Sequence, residues 1–430
     1  MSVSPPYKVG RSWGALTPLV PPGYRISSTT YCARNTSLPK KREVNCVMDT
    51  RSISLNQLMT LMILFLVGGS ILANIGRYSG QNIWLVILLG GVLGTVYFSI
   101  YYRISKLNQH KGLPDILKNC FGKWLGAILI TIYAGFFLFR SILIGNTMTA
   151  MTESTLMYGS NHRLIMSLLL IAVICGSLYG LKAIGRSSEI LFFVTIICLI
   201  PFFVTVFSTG VFKYANLIPI LAEGIGGIRE DVFRISFFPF GDLVIFLMLF
   251  QFVPKQKKDQ ILSRSYIAIL IAILLLISVN VTNIALLGSD LNESFLYPFY
   301  NAMQLAGMNG LLERLDPLAV IIIVITGYFK VVLYFYAGIL ATQSLSQKFK
   351  YKWILSIATV GVFILAPRIK LGNINFTLNI LPFKILPIFE LGIPLIVWII
   401  SEIKHRKKRK DSELLDQNKT KDKKEKLATT

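Results

Sequence analysis

From residue 55 onward the chain repeats one pattern: an apolar run about as long as a bilayer is thick, then a short polar or basic stretch. A membrane-crossing helix needs about 20 apolar residues, each adding about 1.5 Å across a hydrocarbon layer about 30 Å deep. Ten such runs lie near 55–76, 81–103, 122–150, 163–182, 187–209, 232–253, 263–287, 317–345, 352–367 and 386–402. In hydrocarbon every backbone N–H and C=O must be satisfied within the chain, which a helix does inside one segment. The expected fold is an all-α polytopic membrane protein of about ten helices. Composition agrees: 53% of the 430 residues are hydrophobic and 15% charged, with a mean hydropathy of +0.61. That is too little polar surface for a water-soluble domain.

The formal net charge of +23 does not point to nucleic acid, because the basic residues gather in loops and at the C-terminus. Cytoplasmic loops carry the excess of Lys and Arg. With the N-terminus inside, the loops after spans two, four, six and eight are all basic, holding for example Arg103 and Lys106, Lys182 and Arg186, Lys255 and Lys257, and Lys348 and Lys350. The loop after span seven faces outward and carries Asp290, Glu293, Glu313 and Asp316. Arg368, Lys370 and Lys384, in the outer loop after span nine, run against the pattern. Residues 404–430 form a basic cytoplasmic tail, expected to be a disordered charge run drawn to anionic lipid. Residues 1–47 lack a long apolar run and are read as a disordered leader or an overextended start, with Met48 opening the membrane domain of 48–403. Ser52 or Ser54 is placed to cap the first helix.

Two spans look interrupted. Span six holds Phe238, Pro239, Phe240, Gly241 and Asp242 in its first half; span one holds Gly68, Gly69 and Ser70. Proline removes a backbone donor and clashes with the turn before it. Interruptions at matching positions of a five-plus-five division are the sequence sign of a transporter-type binding site. Read alone, Gly68 and Gly69 are close-packing glycines. A helix break exposes free N–H groups on one side, which suit a carboxylate, and free carbonyls on the other, which suit an ammonium group. Two opposed breaks therefore fit a zwitterion.

Charges inside apolar spans mark function or internal pairing. Asp242 reads as an amine ligand, a proton carrier or a gating group, and equally as a cap on the second half-helix. Arg140 and Lys330 need partners, and Asp242 and Glu189 are available; an internal ion pair locking helices together is the plainer reading. Thr326 and Tyr334 share a face of span eight, Tyr328 lies on roughly the opposite one, and Tyr133 could add a hydroxyl. The stretch 104–120 reads as an amphipathic helix on the inner face, with Pro114 at its start. Five scattered cysteines and three scattered histidines give no metal spacing. There is no nucleophile–base set and no nucleotide motif, so neither an enzyme nor a cofactor is expected.

Ser54-Leu-Asn-Gln-Leu, Gly112-Leu-Pro-Asp-Ile-Leu, Gly122-Lys-Trp-Leu-Gly, Gly185-Arg-Ser-Ser-Glu-Ile-Leu and Phe238-Pro-Phe-Gly-Asp together resemble the spore germination permease family. The resemblance runs from about Met48 to about Lys404 and is most specific around Pro239. It implies a B subunit of a nutrient germinant receptor in the spore inner membrane, partnered by an A subunit with membrane spans and a lipoprotein C subunit. It also implies the amino acid–polyamine–organocation transporter fold, with its inverted repeat. Carried over by position, the site falls on Gly68, Gly69, Ser70, Phe238, Phe240 and Gly241, with Thr326 and Tyr328 beside them. The expected function is sensing of an amino-acid-type nutrient. The alternatives are an ion-coupled secondary amino-acid transporter, with Asp242, Glu189 or Lys330 as coupling group, and a scaffold for the partner subunits.

Overall fold

The computed structural model describes residues 52–428 except 73, 76, 158, 223, 309–314, 346–350 and 366–375. The leader 1–47 and the loop residues Glu313, Lys348, Lys350, Arg368 and Lys370 lie outside the described residues. Every regular element described is helical. In chain order these are α1 (Leu55–Leu72), α2 (Ile83–Leu107), α3 (Leu113–Thr155), α4 (His162–Tyr179), α5 (Leu181–Ser208) and α6 (Arg229–Ile235). After the irregular helical turns of 236–260 follow α7 (Ile261–Leu287), α8 (Ser289–Ser294), α9 (Pro298–Met308), α10 (Asp316–Leu345), α11 (Tyr351–Leu365) and α12 (Ile393–Ala428).

Seven helices among the described residues are long and apolar enough to cross a membrane, and shorter apolar helices stand at 55–71 and 353–362. The protein is thus an all-helical polytopic membrane protein. Its outer surface shows why: on α5, Ile190, Phe193, Ile197, Ile200, Val204 and Phe207 are all more than half exposed. Their alternating spacing of three and four draws one apolar stripe down the helix. In water such a stripe would be a liability; against lipid it is the expected surface. By contrast α1 and α10 run through the interior, and Leu61–Val67 and Phe329–Ala337 are buried without a gap.

The local starts are legible. Ser54 and Gln57 form a reciprocal capping box at the head of α1, with Gln57 N donating to Ser54 Oγ (3.1 Å) and Ser54 N to Gln57 Oε1 (3.0 Å). Asn161 accepts from Arg163 N at 3.0 Å to cap α4. The inner amphipathic segment begins at Leu113 rather than 104, because α2 continues to Leu107. Gly122, at φ +81°, then turns α3 from that segment into the span; glycine takes this backbone geometry without a Cβ penalty.

Two expectations need correcting. Span one is not broken at Gly68 and Gly69: α1 is continuous through both and ends at Leu72. The tail is not irregular either, since α12 runs from the last span to Ala428. Its many Lys and Glu residues favour helix, and Arg409–Glu413 (2.8 Å) and Arg406–Glu402 (3.7 Å) pair one turn apart.

Candidate functional site

The sixth span does lose its helix where proline stands. Phe238 has φ −118° and ψ 110°, outside helical geometry, and precedes Pro239, as the residue before proline tends to do. The break carries Asp242 to the centre of the molecule, where its side chain is fully buried.

Two helices, α3 and α10, converge on that carboxylate. Arg140 from α3 donates through Nη2 to both oxygens, at 2.7 Å each. Lys330 Nζ from α10 lies 2.7 Å from Oδ2. One turn further on, the Tyr334 hydroxyl donates to Oδ1 at 2.5 Å. A ring shell closes over the cations: Lys330 Nζ is 4.3 Å from the Phe238 centroid and 4.9 Å from that of Phe65, and Arg140 Cζ is 5.3 Å from Phe238 and 5.5 Å from Tyr334. Cations over ring faces are attracted by the ring quadrupole, more so when water is excluded.

A fourth charged group, Glu390, comes from the segment just before α12 and is also fully buried. Its carboxyl packs against Gly241, the chain neighbour of Asp242: a Cβ at Gly241 would strike Glu390 Oε2. The Tyr101 hydroxyl donates to the carbonyls of Gly241 (3.3 Å) and Glu390, tying the two strands of backbone together. Tyr133 donates to the Phe389 carbonyl at 2.8 Å, and Phe389 stacks on Phe136 with centroids 4.3 Å apart. Sequence reasoning passed over Glu390 and Tyr101. Glu390 carried the same signal as Asp242, an acid inside an apolar span; Tyr101 carried none.

The expected site residues divide sharply. Gly69 faces the cluster: a Cβ there would sit 2.7 Å from Lys330 Nζ and 2.9 Å from Phe238 Cζ. Phe238, Pro239, Phe240, Gly241 and Asp242 are all at or beside the break. Gly68 instead packs α1 on α10: a Cβ there would strike the Thr326 carbonyl. Ser70 and Thr326 are buried, but each hydroxyl bonds back to its own helix, to Leu66 O and Ile322 O, both at 2.7 Å. Tyr328 points the other way, toward Gly176 and the Ala172 carbonyl of α4. Glu189 stands apart with Gln57, 3.4 Å from its amide. Arg140 and Lys330, for which Asp242 and Glu189 were both available, share Asp242.

Among the described residues no three or more His, Cys, Asp or Glu side chains come together as a metal would require. The cationic role at the break is filled by Lys330 and Arg140, and the close approaches at Gly69 and Gly241 mean the centre is filled by the protein's own side chains. This is an occluded cluster of two cations and two carboxyls where spans one, three, six, eight and ten meet.

Residues 52–371 match the family of spore germination proteins. The chain belongs to the spore germination permease family. Among curated relatives, spore germination protein KB of Bacillus subtilis (strain 168) is 26% identical over 84% of this chain and 98% of its own length. Spore germination protein A2 of the same organism is 26% identical over 65% of this chain and 74% of its own. Protein YndE is 23% identical over 75% and 88%. Of solved structures, Mhp1, a nucleobase-cation-symport-1 family transporter in a closed conformation with bromovinylhydantoin bound, superposes with a TM-score of 0.59 at 12% identity, covering 77% of this chain and 75% of Mhp1. A manganese transporter of Eremococcus coleocola gives 0.54 at 12% identity, covering 85% and 78%. The fold is that of a secondary transporter.

Proposed function

We propose that this chain is the nutrient-sensing membrane subunit of a spore germination receptor, and that an amino-acid-type germinant acts at the break in span six. The observation that carries the reading is the occluded charge cluster around Asp242, built by a break that a merely structural helix would not need. Its position in a transporter fold, within a chain of the germination family, supports it. The nutrient's carboxylate would compete with Asp242 for Arg140 and Lys330, and its ammonium would compete with those cations for Asp242. Gly69, Phe238 and Gly241 would line the opened site. In this reading the ten spans form five plus five, both termini face the cytoplasm, the membrane is the spore inner membrane, and A and C subunits complete the receptor.

The second reading is an ion-coupled amino-acid transporter, favoured by the fold likeness to symporters and by the number of charges at mid-chain. Spores lacking the chain, challenged with single amino acids and sugars, test the first. A germination defect for one nutrient, restored by the 48–430 form, is the expected result. Normal germination with every nutrient, together with lost uptake in growing cells, would replace it with the second.

A further inference from the structure

We propose that Glu390 is a proton-binding site, whose carboxyl carries a proton in this closed arrangement and donates it in a hydrogen bond to Asp242. Glu390 is fully buried, and among the described residues neither Oε1 nor Oε2 receives a hydrogen bond. The two hydroxyls that approach its backbone are committed: Tyr101 to the carbonyls of Gly241 and Glu390, and Tyr133 to that of Phe389. Of the donors nearby, Arg140 Nη2, Lys330 Nζ and the Tyr334 hydroxyl converge on Asp242.

Glu390 Oε2 lies against Gly241, the chain neighbour of Asp242, and this brings the two buried carboxyls together. Two ionised carboxylates side by side have four acceptor oxygens and no donor between them, and both side chains are fully buried. One proton turns that repulsion into a short charge-assisted bond. Of the two groups, Asp242 touches two cations and a hydroxyl and keeps its charge, so the proton resides on Glu390. The pattern is that of paired acids whose surroundings set their protonation apart. The cluster then holds one surplus positive charge, and the faces of Phe65, Phe238 and Tyr334 are turned toward it.

The location gives the proton a use. Asp242 sits on the broken sixth span and Glu390 on the segment leading into α12, so the bond exists only while those two elements stay together. Parting them strips Glu390 of its acceptor and opens it to water, where a carboxyl ionises. Proton release is thereby tied to opening, whether the protein senses its nutrient or carries it.

The test needs no nutrient. The full chain, reconstituted in phosphatidylcholine–phosphatidylglycerol vesicles at pH 7, is examined by infrared spectroscopy for the C=O stretch of a protonated carboxyl. The band is expected in the wild type, lost in Glu390→Gln, and kept in Asp231→Asn, which alters another buried acid outside the cluster. A wild-type protein without the band overturns the proposal before any variant is made. A band that survives in folded Glu390→Gln, or vanishes in Asp231→Asn while Glu390 is intact, assigns the proton elsewhere and also overturns it. Failure here would leave the receptor reading standing, since that rests on germination.

Discussion

Among the described residues Asp242 is the anion that both Arg140 and Lys330 touch, and this makes the three residues unequal. Asp242→Asn leaves two buried cations facing each other, and breaking a buried pair from one side costs about 3–5 kcal/mol. Lys330→Met removes one cation and leaves Asp242 still held by Arg140 and Tyr334, so it costs less. In thermal unfolding, Asp242→Asn should lower the midpoint far more than Lys330→Met, and adding Lys330→Met to Asp242→Asn should recover part of the loss. Equal, additive effects would mean that the charges do not act as a cluster. The glycines of span one separate in the same way. Gly68→Ala drives a methyl into the Thr326 carbonyl, a backbone atom that cannot yield, and overpacking of this kind costs about 1–3 kcal/mol. Gly69→Ala meets the ends of two movable side chains, Lys330 and Phe238. The first should depress stability; the second should leave stability closer to wild type while disturbing the nutrient response. The opposite order, read by thermal melting beside germination assays, would show the faces of α1 to be reversed.

At the scale of elements, the turn from α2 to α3 carries the clearest pH dependence outside the membrane. His110 is nearly buried there, its Nδ1 3.0 Å from Ser105 Oγ. Burial, aided by nearby Lys258, pushes its pKa from the usual 6.5 down to about 4. The unfolded chain thus binds a proton that the folded chain refuses. Stability from this residue is complete above about pH 6.5 and is lost as pH falls from there toward 4. Thermal unfolding at pH 7 and pH 5 should show a larger acid loss for wild type than for His110→Asn; identical losses would exclude His110 as the cause. The spans and their basic loops were plain in the sequence because apolar length and charge need no tertiary information. Arg140, Asp242 and Lys330 stood out for the same reason: a charge in hydrocarbon is anomalous before any partner is known. What could not be read was which face of each helix meets the centre. Gly68 and Gly69 are adjacent letters, yet one packs a helix and the other faces the cluster. Tyr328 was set beside the site although it faces α4, while Tyr334, noted only for its share of a face, holds Asp242. Tyr101 joins the centre only because α2 passes the backbone of Gly241 and Glu390.

For the whole molecule the occluded centre sets the terms of response. A nutrient that needs the space of Phe238 and Lys330 can bind only after the closed arrangement gives way, so its apparent affinity falls by the fraction of molecules that are open. It can shift the receptor only by binding the two states differently. Any bond present in the closed state alone therefore raises the nutrient concentration required. The Tyr334 hydroxyl makes such a bond, at 2.5 Å to Asp242. A hydrogen bond to a charged group contributes about 1.5–3 kcal/mol, and about 1.4 kcal/mol is a factor of ten. Tyr334→Phe keeps the ring over Arg140 and removes only the hydroxyl. Spores carrying it should germinate at a nutrient concentration lower by about tenfold or more, or begin to germinate without nutrient. A higher requirement would mean instead that the hydroxyl serves the bound state, and that the closed cluster is not what the nutrient has to open.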